Sequence, residues 1–272
     1  MRLRAASGNH YAISLPGDGE PLLLLHGFTG DHSAWQSLSP ALAAKNQLIM
    51  PDLPGHGRSD SPKCAAAWHM SRVAADLISL LDALKLPQVH LLGYSMGGRL
   101  ALYLALHYPR RFLSLTLESA SPGIATEKER MTRQQSDNLL ADQIEARGIA
   151  WFVEYWGALP MWASQAQLTP HVRLAQRKQR LRCHPAGLAG SLRGMGTGAQ
   201  PSLWESLPRM QLPVLLIVGE LDSKFRRINA AMRDSIPGAR LEIINGAGHN
   251  THLEKPGQFA RLLAAHLAAP LP

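Results

Sequence analysis

At 272 residues the chain has the length of one large domain carrying an insertion, and 46% hydrophobic residues suffice for a substantial core. It has no run of about eighteen apolar residues, which excludes a helical membrane span. The 28 Lys and Arg against 20 Asp and Glu leave a net charge of +8. These cations are scattered and thicken only between 128 and 193, with no basic tail or interleaved aromatics. The expected partner is therefore a small anionic molecule, with no nucleic acid.

The N-terminus, Met1-Arg2-Leu3-Arg4, lacks the apolar stretch of a signal peptide, so a cytoplasmic protein is expected. Cys64 and Cys183 are far apart and lie in no metal-ligand spacing, and the histidines are equally dispersed. Two reduced thiols and no metal site are expected. Nothing in the sequence sets an oligomeric state.

Residues 9–15 alternate weakly and predict a strand, ended by the turn Pro16-Gly17-Asp18-Gly19. The apolar run 21–25 predicts a strand covered on both faces and stops at His26-Gly27-Phe28-Thr29-Gly30. A helix over 33–45 and a strand over 47–50 follow. The loop from Pro51 to Asp60 then holds two prolines and two glycines. Asp52 there is expected to order the loop backbone. His26 and His56 read as bracing groups rather than as acid or base. The helix predicted over 69–85 carries an apolar stripe through Met70, Val73, Leu77, Leu80 and Leu84.

The stretch 89–100 organises the rest. A short apolar strand meets a helix, apolar at Leu100, Leu102 and Leu104, across Gly93-Tyr94-Ser95-Met96-Gly97. This G-x-S-x-G pattern, in a strand–turn–helix context, presents a serine hydroxyl on a strained turn at a helix N-terminus. Ser95 is the candidate reactive residue. In that architecture the loop after the strand at 21–25 supplies one half of an oxyanion hole, here the N–H of Phe28, and the N–H of Met96 supplies the other.

A strand over 112–118 ends before Ser121-Pro122-Gly123. The β-α-β order predicts a mostly parallel sheet with helices on both faces. From about 124 to 200 strands vanish, and the segment carries Arg130, Arg133, Trp156, Trp162, Arg177, Arg180 and Arg182. A helical insertion there would lie over Ser95 as a lid. Gly194, Gly196, Gly198 and Pro201 read as its hinge. The expected division is thus core at 1–122, lid at 123–204 and core again at 205–272. A buried strand over 213–218 leads to Asp222. A helix over 226–235 and a strand over 240–244 lead to His249, and a helix over 257–268 ends the pattern. In a parallel sheet the strand ends carrying Ser95, Asp222 and His249 share one edge. Glu220 competes with Asp222 but follows its strand too closely, and His252 competes with His249, whose glycine turn leaves the ring uncovered.

With these motifs in place, the chain resembles the α/β-hydrolase-fold family over nearly its whole length. The likeness runs through His26-Gly-Phe-Thr-Gly, Asp52-Leu-Pro-Gly-His-Gly, Gly93-Tyr-Ser-Met-Gly-Gly-Arg, Gly219-Glu-Leu-Asp and Gly246-Ala-Gly-His. More narrowly, it is similar to the family of 2-succinyl-6-hydroxy-2,4-cyclohexadiene-1-carboxylate synthases of menaquinone biosynthesis. That likeness rests on Arg99 after the elbow, Ser121-Pro-Gly, Arg130-Met-Thr-Arg133, Gly198-Ala-Gln-Pro, Asp222-Ser-Lys-Phe and Gly248-His-Asn-Thr-His. The resemblance implies a lyase that expels pyruvate from an enolpyruvyl cyclohexene carboxylate, with no cofactor and no metal. It implies a Ser95–His249–Asp222 triad, Phe28 and Met96 as oxyanion donors, and Tyr94, Arg99, Arg133, Trp156 and Arg180 at the substrate. Arg177 or Arg182 could take the place of Arg180 by a small shift. A serine hydrolase of the same fold, an esterase or a carbon–carbon bond hydrolase, would use the same triad. A non-catalytic receptor would have no need to keep it.

Overall fold

The computed structural model describes residues 1–269. Its frame is an eight-stranded sheet, formed by β1 (Arg2–Arg4), β2 (His10–Ser14), β3 (Glu20–Leu25), β4 (Asn46–Pro51), β5 (Val89–Tyr94), β6 (Phe112–Glu118), β7 (Val214–Gly219) and β8 (Arg240–Ile244). The spatial order is β1-β2-β4-β3-β5-β6-β7-β8. β1 and β2 are antiparallel, and every pairing from β4 to β8 is parallel. Helices α1 (Ser39–Ala43), α2 (Met70–Ala83) and α3 (Met96–His107) precede β6. Helices α4 (Glu127–Gly157), α5 (Pro170–Leu181) and α6 (Pro185–Met195) fill the β6–β7 connection, and α7 (Ser223–Ser235), α8 (Thr251–Glu254) and α9 (Pro256–Leu267) follow β7.

The period-two geometry of a strand sends alternate leucines of one run to opposite faces. Leu23, Leu25 and Leu91 pack with α2 and α3 in one buried cluster. Leu22, Leu24 and Leu92 pack on the other face with Trp35, Phe259 and Leu263. Because both faces are covered, the central strands read as continuous apolar runs.

Local signals account for the departures from expectation. The helix predicted over 33–45 is a 3-10 turn, His32–Trp35, followed by α1. Asp31 caps the first, accepting from the Ser33 N–H at 2.8 Å, and Pro40 sits at the start of the second. α7 begins at Ser223 because Asp222 caps it. β1 has no apolar alternation to announce it.

The connection between β6 and β7 holds helices and loops but, among the described residues, no strand, and α4 bends at Gly148, where φ is 81° and ψ 176°. Gly194, Gly196 and Gly198 are not a hinge. None has a positive φ, and a Cβ on each would strike the backbone or side chain of Trp68, Leu192 or Gln134. They let α6 and the turn after it lie directly against their neighbours, and Met195 belongs to the cluster under α3. Among the described residues, no helix is long and apolar enough to cross a membrane.

Candidate active site

Ser95 occupies the turn between β5 and α3 with φ 50° and ψ −107°, left-handed strain in a residue with a side chain. The strain is imposed by packing. A Cβ on Gly93 would collide with the Gly97 carbonyl, and one on Gly97 with that of Leu25. Only glycines at both positions let α3 start this close to β3 and β5. The hydroxyl of Ser95 is thereby left at the C-terminal edge of the sheet.

The β7 and β8 ends bring the other two groups to the same edge. His249 Nε2 lies 3.0 Å from Ser95 Oγ, and its Nδ1 lies 2.6 Å from Asp222 Oδ2. With Nδ1–H donated to the carboxylate, Nε2 is left to accept from the serine. Asp222 is fixed in turn, since its Oδ1 accepts the Phe225 N–H at 3.2 Å. The rivals are placed elsewhere. The Glu220 carboxylate accepts the Gly246 N–H at 2.8 Å, and His252 Nδ1 donates to Glu118 Oε2 at 2.6 Å.

The amides of Phe28 and Met96 make no hydrogen bond within the described residues. Met96 is the first residue of α3, so its N–H has no acceptor within the helix. Phe28 follows β3, and its ring packs edge-on against Trp156 at 5.4 Å and Phe152 at 6.0 Å from the insertion. His26 braces that loop, accepting the Leu53 N–H on Nε2 at 2.9 Å with Nδ1 2.8 Å from the Gly27 carbonyl. Burial pulls its pKa down, as it does that of His56, to about 3, so both are neutral supports. Asp52 orders its loop through the backbone N–H groups of His32 and Arg58.

Above Ser95 lies a cavity of about 250 Å³, roofed by the insertion and lined by Tyr94, Arg99, Arg133, Trp156, Trp162 and Lys224 among others. Arg99 is buried, and burial pulls its pKa down to about 10. Its Nη1 donates to the Met195 carbonyl at 2.8 Å and to Gln200 Oε1 at 3.0 Å, which aim the fork. Arg133 donates from Nε to the buried Asp137 at 2.7 Å, and its side chain is 42% exposed. Arg180 is the reverse case, only 8% exposed, with no hydrogen bond or ion pair among the described residues. Its guanidinium sits 5.0 Å from the centre of the Trp162 ring, and burial lowers its pKa. Arg177 pairs with Glu154, and Arg182 with Asp31, so neither substitutes for it.

The donors at this cavity that are buried without partners among the described residues include the Tyr94 hydroxyl and the indole N–H groups of Trp156 and Trp162. Each such group costs about 1–3 kcal/mol when nothing accepts from it. Sequence reasoning passed over Trp162, Lys224 and Gln200 as site residues, although Lys224 and Gln200 fall inside motifs that carry the resemblance. Trp162 gave no signal beyond being one aromatic in a helical stretch.

A serine on a strained elbow, its histidine and acid on later strand ends and a helical roof define a class. The chain belongs to the alpha/beta hydrolase fold family, whose sequence model matches residues 20–256. Within that class it belongs with the 2-succinyl-6-hydroxy-2,4-cyclohexadiene-1-carboxylate synthases. It is 41% identical over 271 residues to the putative synthase of that name from Bacillus subtilis (strain 168), covering 99% of this chain and 98% of that one. It is 32% identical over 243 residues to the synthase of Enterobacter sp. (strain 638), covering 89% and 90%. The solved structure of MenH from S. aureus superposes with a TM-score of 0.90 at 34% identity, covering 94% of this chain and 97% of that one.

Proposed function

We propose that this chain is a carbon–oxygen lyase that eliminates pyruvate from 2-succinyl-5-enolpyruvyl-6-hydroxy-3-cyclohexene-1-carboxylate to give 2-succinyl-6-hydroxy-2,4-cyclohexadiene-1-carboxylate. One observation carries the reading beyond family membership. The cavity over Ser95 is lined by buried donors that lack acceptors among the described residues, including the Tyr94 hydroxyl and the Trp156 and Trp162 indoles, with Arg99 and Arg133 along the wall and Arg180 stacked on Trp162. A substrate with three carboxylates supplies what they lack. Arginine forks suit carboxylates because paired hydrogen bonds fix position as well as charge. An esterase for neutral esters has no use for buried donors of this kind.

The ring proton removed is at C2, next to the succinyl carbonyl. His249, oriented by Asp222, takes the Ser95 proton, and the serine oxygen takes the C2 proton. The C2–H electron pair forms the C2–C3 double bond, the C3–C4 pair moves to C4–C5, and the C5–O bond breaks. Enolpyruvate leaves, gains a proton and becomes pyruvate. Charge that builds on the succinyl oxygen during proton removal is met by the Phe28 and Met96 N–H groups. Tyr94, Trp156 and Arg180 hold carboxylate oxygens near the triad, and Arg99 and Arg133 do so along the wall. The insertion at 123–204 acts as a lid, excluding water that would weaken these bonds.

The complete triad is also what a serine esterase or carbon–carbon hydrolase would use, so the experiment must separate the two. Pyruvate release from the enolpyruvyl substrate is followed with a lactate dehydrogenase couple, beside hydrolysis of a p-nitrophenyl ester, in wild type and Ser95→Ala. Rapid pyruvate release that Ser95→Ala abolishes is the expected result. Brisk ester hydrolysis with pyruvate release no faster than the spontaneous rate would move the function to the hydrolase reading.

A further inference from the structure

β6 runs between the strand that ends at Ser95 and the strand that leads to Asp222, with Glu118 paired to Tyr94 on one side and to Ile217 on the other. The main-chain carbonyl of Glu118 accepts the Ser95 N–H at 2.8 Å. Its side chain reaches the third segment of the triad. Oε1 accepts from the Thr251 hydroxyl at 2.7 Å and from the His252 N–H at 3.0 Å, and Oε2 from His252 Nδ1 at 2.6 Å. Thr251 and His252 follow His249 in the same turn. One residue therefore grips the nucleophile through its backbone and the turn that bears the base through its carboxylate.

The pair lies deep in the fold, with the Glu118 side chain 0% exposed and that of His252 1%. The His252 ring is packed between Trp35 at 4.6 Å and Tyr94 at 5.0 Å, and Tyr94 is in turn 5.6 Å from the His249 ring. Burying a carboxylate with an imidazole is a weak source of stability, since apolar groups of the same volume do as well. A fully bonded buried network does offer one fixed geometry. What it fixes here is the 3.0 Å separation of Ser95 Oγ and His249 Nε2.

We propose that Glu118 is a positioning residue for the triad, its main chain setting the nucleophile and its carboxylate, through Thr251 and His252, setting the base. The proposal rests on the reading of Ser95 and His249 as the reacting pair. Glu118 lies behind the triad and acts through these partners alone.

Glu118→Gln keeps the size of the side chain and an acceptor for the Thr251 and His252 donors, but removes the charge-assisted bond to the ring. Two measurements are made: steady-state elimination, and the rate at which a small fluorophosphonate labels Ser95. Labelling reports the alignment of Ser95 and His249 without the carboxylate-binding wall. Misplacing a reacting group by about 1 Å costs about 100-fold, so kcat should fall about 10- to 100-fold with labelling slowed in step and KM held within about twofold. Thr251→Val, which removes one hydrogen bond at constant shape, should lower both by about 3- to 10-fold and serves if the first variant does not fold. A lower melting temperature with kcat and labelling within about twofold of wild type, or an effect on KM alone, would overturn the proposal. Ser95→Ala runs beside them. If it still eliminates pyruvate the triad reading itself fails, whereas an inactive Ser95→Ala beside unimpaired Glu118 variants refutes the positioning role only.

Discussion

Arg180→Met tests the carboxylate reading most directly, because the free protein and the complex should respond in opposite ways. Methionine keeps an apolar stem of similar reach and removes only the charged head. In the free protein Arg180 is 8% exposed, and among the described residues its head has no hydrogen-bonded or ionic partner and stacks 5.0 Å from the centre of the Trp162 ring. The stacking contributes about 0.5–2 kcal/mol, and the desolvation it offsets disappears with the charge. Folding stability should therefore change by less than about 1 kcal/mol, with a gain as acceptable an outcome as a small loss. Binding should behave otherwise. A hydrogen bond to a charged group is worth about 1.5–3 kcal/mol, so KM should rise about 10- to 150-fold while kcat changes much less. Urea denaturation followed by tryptophan fluorescence gives the first quantity and the pyruvate-coupled assay the second. A loss of about 3 kcal/mol in stability with KM unchanged would make Arg180 a structural cation and refute the reasoning.

Two further outcomes follow from the same geometry. Arg133→Ala should raise KM by about 10-fold or more through the loss of a charge-assisted bond, and should cost some stability because Asp137 then keeps, among the described residues, only the Gly198 N–H; wild-type kinetics would remove Arg133 from the site. The third concerns pH. His56 is neutral in the fold with its pKa at about 3, against about 6.5 when unfolded. Above about pH 6.5 neither state binds the proton; below it the unfolded chain does first, so stability falls as pH drops towards 3, by about 2 kcal/mol at pH 5 from this residue. His32, whose pKa Asp52 raises, works in the opposite direction. The measurement is therefore the difference in pH slope between wild type and His56→Asn, and equal slopes would contradict the assignment.

The meeting of Ser95, His249 and Asp222 was legible because each follows a strand end that sequence can locate: Ser95 after 89–92, Asp222 after 213–218, His249 after 240–244. A parallel sheet then gathers those ends without further information. The unbonded Phe28 and Met96 amides could be placed for the same reason, being backbone groups of the loops at two such ends. What sequence could not order was the interior of the insertion. Arg177 and Arg180 lie in α5 and Arg182 directly follows it, and only packing decides that Arg180 turns inward while the others pair with Glu154 and Asp31. The glycines at 194, 196 and 198 misled because glycine signals both freedom and close approach, and the neighbours that distinguish the two are remote in sequence. His252 was visible only as a rival to His249. Its partner Glu118 ends a strand more than a hundred residues earlier, where a buried carboxylate looks like any polar strand terminus.

The loop that presents Phe28 is also held from above. Asp31 accepts from Gln179 at 2.8 Å and from Arg182 at 3.3 Å, while the Cys183 thiol meets the Thr29 carbonyl at 3.5 Å. Burial pushes the Asp31 carboxyl up, but hydrogen bonds from Ser33 and Gln179 outweigh it and hold it at about 2, so the clasp stays charged across the working range of pH. The roof and the Phe28 loop are thus one mechanical part drawn from two places in the chain. Anyone grafting a foreign roof onto this core to change its substrate must transplant residues 29–33 with it, or inherit a Phe28 loop whose geometry was set by a helix no longer there.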